Sequence, residues 1–418
     1  ENFTGFLLDT QTPLQSPHAQ RGDLLDLDST AITVGARGSA RLKRTALGRA
    51  QEIELGYFAR GDVVDGTQSR IEAATGHPYH LDTDLHSKLG DLGLYADLAL
   101  RPLSWITLRG GLRGDLFAYD VLDACAVASV AHPAQSDPPG DASCLDQQSF
   151  GAHREPFQRA STASFALLPR ASVSFGSFRG FRLSAGVGKG ARSIDPSYVT
   201  QDVKTPFASV LAYEGGVEYA GGGETIAVAA RSTVFQTRVD RDLVFSETAG
   251  RNLLGGGTSR TGWVGSARVT GEHFDVNASA TLVKSIFDDT HLLVPYAPDT
   301  VVRADAACFT ELPLTLLGER FRGAIGSGLT FIGHRPLPYG QRSDVIFTLD
   351  ASTTLSWSHY ELGLSLTNLT GTQYRLGEYN FASDFHTEPS PTLVPVRHFT
   401  AGAPRAVYGT IAVNFGGN

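Results

Sequence analysis

Several groups of residues in this chain have the types and spacing for chemistry. After Gly76 the sequence places His77, His80, Asp82, Asp84 and His86 within ten residues, imidazoles and carboxylates of the kind that ligate transition metals. No strand or helix spacing is expected to fix these groups relative to one another, so the segment reads as a solvated loop. Gly186-Val187-Gly188-Lys189-Gly190 superficially suggests a phosphate loop, but it lacks the Walker spacing and the strand-then-helix context. There is no Gly-x-Ser-x-Gly elbow in a suitable setting, and Ser, His and Asp form no local hydrolytic constellation. The reading is therefore not an enzyme, with no resident cofactor or metal.

Cys125 and Cys144 fall in one polar segment rich in Ser, Asp and Pro and read as a loop-closing disulfide, which places that loop in an oxidising compartment. Cys308 sits alone in an alternating segment and reads as a small apolar residue. Charged residues at alternating positions form a further group: Arg109, Arg113, Asp115, Arg231, Arg268, Arg303 and Asp305. What they do depends on the elements that hold them.

The chain has 418 residues, 41% hydrophobic and 19% charged, with a net charge of -8, which excludes disorder, collagen and coiled coil. Its acidic balance and lack of basic stretches argue against nucleic-acid binding. No apolar run reaches the roughly 18 residues of a transmembrane helix. It opens at Glu1 without a signal-peptide pattern, so any export signal is expected to have been removed.

Alternation is the dominant signal. Leu92, Leu94, Ala96, Leu98 and Leu100 form one face and Gly93, Tyr95, Asp97, Ala99 and Arg101 the other. After Pro102 to Ser104 the pattern resumes, with Ile106, Leu108, Leu112 and Leu116 opposite Arg109, Arg113 and Asp115. The same period recurs at Val345 to Trp357, Tyr360 to Leu366 and Val407 to Phe415, and more weakly from Ile32 to Phe331. These runs approach the 9 to 11 residues, roughly, with which a tilted strand crosses a bilayer, longer than the strands of a soluble sandwich. Tyr57, Trp105, Phe117, Trp357 and Tyr360 at strand ends suit an interfacial aromatic girdle.

Short turns, at 47–50, 102–104, 176–180, 221–223, 271–273, 317–320 and 358–359, alternate with long polar loops at 10–28, 62–90, 118–160, 189–206, 238–259, 287–300, 334–343 and 370–398. Eight long loops imply about sixteen antiparallel strands, from an upward strand at Phe3 to Leu8 to a downward one at Arg405 to Phe415, with both chain ends periplasmic. The expected fold is all-β, one transmembrane antiparallel barrel of outer-membrane type over residues 1–418, with outer-membrane lipid around it. The charged group above then faces the lumen, where it can bind an anionic ligand or pair with whatever fills the barrel. The final loop, with Tyr374, Tyr379, Phe381, Phe385, His386 and His398, joins His77, His80 and His86 as a candidate outer mouth.

The last hundred or so residues resemble the C-terminal end of TonB-dependent receptors. Three places carry the resemblance: the strand Tyr360 to Leu369 ending in an Asn-Leu step, Gly402-Ala403-Pro404-Arg405-Ala406-Val407-Tyr408 entering the closing strand, and Val413-Asn414-Phe415 near the end. The resemblance implies a barrel of roughly 22 strands filled by an N-terminal plug domain, with a segment that engages TonB. No plug and no TonB-engaging segment precedes the first strand here. The chain is therefore expected to be the C-terminal part of a receptor, its plug missing or on another chain. The implied function is active uptake of a small-molecule ligand: an iron–siderophore complex, cobalamin or an oligosaccharide. The alternatives are a passive porin of about sixteen strands, with 118–160 as its constriction loop, and a barrel acting as scaffold or adhesin through its loops.

Overall fold

The computed structural model describes residues 2–4, 23–46, 48–72, 78–124, 158–201, 203–247, 250–382 and 395–415. The strands are β1 (Asn2–Thr4), β2 (Asp23–Ala46), β3 (Arg49–Glu72), β4 (Pro78–Leu103), β5 (Ile106–Asp123), β6 (Gln158–Phe178) and β7 (Phe181–Ser193). A one-turn helix, α1 (Ser197–Thr200), precedes β8 (Phe207–Gly222), β9 (Ile226–Val239), β10 (Leu243–Ser246), β11 (Arg251–Leu254), β12 (Thr258–Gly271), β13 (Phe274–Phe287) and β14 (Thr300–Leu316). The chain continues through β15 (Glu319–Ile332), β16 (Ile346–Trp357), β17 (Tyr360–Thr367), β18 (Arg375–Ala382), β19 (Pro395–Ala401) and β20 (Ala406–Val413).

Sixteen of these make one sheet whose order follows the chain from β1 to β9, then β12 to β17, then β20, matching the sixteen strands expected. Neighbours are antiparallel, as the meander of an outer-membrane barrel requires. β10–β11 and β18–β19 are separate hairpins carried on the loops after β9 and β17. The short connections are tight because their residues accept left-handed backbone: Arg179 and Gly180, Leu317 and Gly318, and Ser358 all have positive φ, the conformation that lets a two-residue turn follow strand twist.

The two faces differ as the alternation requires. Ile32, Val34, Leu94, Leu112, Phe165 and Leu167 point outward and are exposed, whereas Arg41, Asp97, Arg109 and Arg170 point to the lumen. On the outer face aromatic rings cover glycines of the adjacent strand: a Cβ on Gly38 would lie 2.7 Å from Tyr57 Cε1, and one on Gly114 2.7 Å from Phe165 Cζ. Beside the short turns aromatics cluster, Trp105 with Phe178 at 6.1 Å, Phe181 with Tyr219 at 4.7 Å, and Trp357 with Tyr360 at 5.8 Å. Trp357 donates its indole N–H to the Leu316 carbonyl at 3.0 Å, a ring with one wet edge that suits a membrane interface.

The buried core lies at the loop end rather than along the wall. Phe117, Tyr119, Val121, Ala166, Val199 and Phe207 form one cluster, and Ile194, Tyr198, Ala208 and Val239 a second, both around α1. Here several expectations are corrected. Much of 62–90 is strand, because β3 runs on to Glu72 and β4 starts at Pro78; β5 likewise continues to Asp123 and β2 begins at Asp23. A strand of 18 residues such as β5 is about 60 Å long, more than a tilted crossing needs. Past the apolar band the inward face also carries apolar residues, Phe117, Tyr119 and Val121 on β5, so the apolar–polar alternation fades while the ladder persists. Of the expected strand at Phe3 to Leu8 only Phe3 and Thr4, within β1, are described.

The Asn-Leu step has a structural reason. Asn368 is 4% exposed and has φ 50. Its Nδ2 donates to the carbonyls of Thr372 at 2.8 Å and Ala403 at 3.2 Å, its Oδ1 accepts from the Thr372 N–H at 3.0 Å, and its own N–H donates to Asp350 Oδ1 at 2.8 Å. The Asn368 amide thus ties the end of β17 to the segment entering β20. Asn368→Ala is expected to destabilise the folded barrel by about 1–3 kcal/mol, since it removes the hydrogen bonds of a buried amide and leaves an alanine in left-handed backbone; equilibrium unfolding from detergent or lipid checks this, and an effect near zero would contradict it.

Candidate functional site

The lumen wall is built in rows set by strand register. One row runs Arg41 (β2), Glu54 (β3), Asp97 (β4), Gly111 (β5) and Arg170 (β6), and the next, toward the short turns, Lys43, Glu52, Ala99, Arg109 and Ser172. Arg41 reaches both Glu54 at 2.8 Å and Glu52 at 3.1 Å, Tyr95 donates to Glu54 at 2.9 Å, and Arg170 pairs with Asp97 across β5. Other pairs lie along one strand, where residues two apart share a face: Arg60 with Asp62 at 2.9 Å, Arg113 with Asp115 at 2.8 Å, and Arg303 with Asp305 at 2.6 Å. Arg231 meets Glu218 at 3.6 Å, and Arg268 meets Asp275 at 2.8 Å.

Glycines make room for these pairs. A Cβ on Gly111 would stand 2.6 Å from Asp97 Oδ1 and 2.8 Å from Arg170 Nε, and one on Gly328 3.0 Å from Asp305 Oδ1. The ion pairs therefore lie flat on neighbouring backbone. The register brings Arg109, Arg113 and Asp115 into one patch of wall; Arg231, Arg268 and the Arg303–Asp305 pair stand on separate strands farther round. Sequence reasoning missed Arg60 and Asp62, although Arg60-Gly61-Asp62 repeats the spacing of Arg113-Gly114-Asp115. It also missed Arg41, Glu54 and Arg170, whose partners lie on other strands and depend on register.

At the loop end, hairpins close over the opening. β10–β11 rises between β9 and β12, the ninth and tenth strands of the sheet, yet its Gly250 sits on Leu25 of β2, the second strand, where a Cβ would collide with the Leu25 side chain. Its base is pinned by Asp242, 1% exposed, which pairs with Arg192 at 3.2 Å and with Arg260, and accepts from Thr258 Oγ1 at 2.8 Å. Its Phe245 ring meets Tyr296 at 6.1 Å and Tyr379 at 5.9 Å, and the rings of Tyr296 and Tyr379 lie 5.5 Å apart. Phe381 stacks on His398 at 3.9 Å and packs with Leu25. Burial pushes the His398 imidazole below its ordinary range. Glu378, 1% exposed, lies between Arg375 at 3.9 Å and Arg397 at 3.7 Å and accepts the Asp344 N–H at 3.0 Å, joining β18–β19 to the loop after β15.

The outer-mouth candidates therefore divide. Tyr379 and Phe381 join the ring contacts between loops. Tyr374 braces the base of the β18–β19 hairpin, with its Oη accepting the Ala403 N–H at 3.1 Å and its ring over Gly402. The histidine segment is corrected from loop to strand: from Pro78 it belongs to β4, whose spacing does fix its residues. His86 Nδ1 lies 2.7 Å from Asp65 and Nε2 3.5 Å from Asp84. Among the described residues no three His, Cys, Asp or Glu side chains are arranged to hold a metal. His77, Phe385, His386, Cys125 and Cys144 fall outside the described residues, as do the side chains of His80 and Asp82.

No family model and no curated protein matches the sequence. Solved structures do match. The ferric yersiniabactin uptake receptor FyuA from Yersinia pestis superposes with TM-score 0.65 at 13% identity, covering 94% of this chain and 55% of that one. The ferric citrate transporter FecA in its unliganded form gives TM-score 0.66 at 14% identity over 94% of this chain and 55% of that one. The copper transporter OprC gives 0.65 at 15% identity over 97% and 60%. The chain thus spans little more than half the length of these structures. At such identities the match is one of fold.

The loop-end packing carries a pH dependence. Glu247, in the turn after β10, is 7% exposed, and burial raises its carboxyl above the ordinary 4.5, although the backbone N–H groups of Glu247 and Asn380 favour its charged form. A raised carboxyl pKa means the closed hairpin favours the neutral form. Its stabilisation is complete below the ordinary value and is lost as pH rises through the raised one. Protection of the Asn380 amide from hydrogen exchange, corrected for intrinsic rate, is expected to fall over that rise, and Glu247→Gln to remove the dependence. Equal pH profiles for wild type and variant would contradict the assignment.

Proposed function

We propose that this chain, whose fold is that of the TonB-dependent receptor barrel, forms the wall through which an outer-membrane receptor takes up a scarce nutrient by active transport. In this reading the long loops are extracellular and both chain ends periplasmic. A plug domain, on a longer form of the same chain or on a separate polypeptide, fills the lumen, and TonB engages the receptor through that upstream region. The ligand is a small molecule of the class of an iron–siderophore complex, cobalamin or an oligosaccharide; the ferric-chelate and copper specificities of the matching structures support a metal-bearing one.

The observation that carries the reading is the superposition of 94% of the chain on 55% of much longer receptors. A lumen of this polarity, left open, would conduct, so a receptor needs an occupant. The paired lumen wall supports one held by contacts that can be released, because its arginines are largely neutralised within the wall. The covered loop end supports ligand entry by displacement of hairpins rather than through a standing opening.

In planar bilayers the complete gene product is expected to be electrically silent, and a channel to appear once the segment upstream of the barrel is removed. A steady open pore from the complete product would overturn the receptor reading in favour of a porin.

A further inference from the structure

Not every charge on the lumen wall is paired, and one unpaired arginine stands beside a recess. Arg109 and Arg113 project from the same face of β5, on either side of Gly111. Opposite Gly111 stand Asp97 on β4 and Arg170 on β6. The Asp97–Arg170 pair lies flat over Gly111, and beside it the wall has a recess of about 500 Å³, lined among others by Arg41, Arg109, Arg113, Arg170 and Lys189. Arg41, Arg113 and Arg170 have carboxylate partners. Arg109 has none among the described residues: its cross-strand neighbours are Ala99 and Ser172, neither an acid. Lys189 makes no ion pair among the described residues either.

The lining holds five cations against the carboxylates of Glu52, Glu54 and Asp97, and Asp115 adds a fourth acid behind Arg113. Glu52 and Glu54 both turn to Arg41, so the surplus positive charge falls on the Arg109 side. Like charges around one hollow raise one another's energy unless an anion sits among them. The planar fork of a guanidinium matches an oxyanion by two parallel hydrogen bonds, which an ammonium cannot do.

We propose that the recess around Arg109 binds a small carboxylate- or phosphate-bearing anion in the lumen. Arg109 would grip the oxyanion directly, and Arg113 and Arg170 would add field while keeping their own partners. The site stands apart from the loop-end ring cluster and does not depend on whether transport is powered or passive.

Isothermal titration of the detergent-solubilised chain with inorganic phosphate, and separately with succinate, tests it. Saturable binding at one site is expected, weakening as salt is raised and at least tenfold weaker in Arg109→Gln. Arg109→Lys should keep part of the affinity, and Arg231→Gln, whose cation already faces Glu218, should bind as wild type. Absence of saturable binding, or Arg109→Gln binding like the parent while still folded by its gel shift on heating, overturns the proposal. So would cross-linking in the complete gene product that places an acidic protein segment against Arg109, which would reassign the recess to an internal contact.

Discussion

A chain that crosses hydrocarbon must satisfy every backbone N–H and C=O without water, because each one left unpaired there costs several kcal/mol. The sixteen-stranded antiparallel sheet meets this demand for its inner strands by pairing each with the next strand of the sheet, and most of the architecture follows from it. Strands must be long enough to carry the ladder across, turns at one end must be tight, and the residues between are divided by pleat into an apolar outer face and a polar inner one. The one-turn helix and the two extra hairpins stand outside the ladder, at the loop end where water is available.

The inner face has a second constraint. Charges on a lumen wall are useful only if they do not bind one another so deeply that nothing else can reach them, nor stand so bare that they repel. Here most are paired along a strand or across one, over glycines that let the side chains lie flat. Such exposed pairs contribute little to stability individually; their effect is on the shape and the field of the wall. Arg109 has no carboxylate partner among the described residues, so its charge is left uncompensated within the wall. The loop end is organised differently, by rings and buried carboxylates: Asp242 and Glu378, each held between arginines, fix hairpin bases, while rings and the buried Glu247 make the contacts between hairpins.

Much of this was legible in the sequence, because a barrel's two faces meet two solvents. Leu92 to Leu100 against Gly93 to Arg101 gave β4, and Leu108, Leu112 and Leu116 against Arg109, Arg113 and Asp115 gave β5 with its lumen face. The strand count follows from loops whose polarity is a local property. The errors begin where the two solvents become one. Beyond the apolar band, residues 62–72 and 78–90 continue as strand without a lipid-facing alternation, with Gln68, Thr83 and Ser87 buried, so the histidine segment looked like a loop and Asp62 was lost with it. Cross-strand pairs such as Arg170 with Asp97 were out of reach for another reason: register is a relation between distant segments that one sequence does not print. The Asn-Leu step could be recognised but not explained until Asn368 was seen holding both Thr372 and Ala403.

The division of each strand into lipid and lumen faces underlies the whole account, and cysteine scanning of β5 from Leu108 to Phe117 in lipid vesicles, in a background without the native cysteines, measures it most directly. Reaction with a charged, membrane-impermeant thiol reagent should alternate, with the Arg109 and Arg113 positions labelled and the Leu108, Gly110, Leu112 and Leu116 positions protected. Uniform labelling along β5, or protection with a period near 3.6 residues, would contradict the barrel and everything built on its lumen.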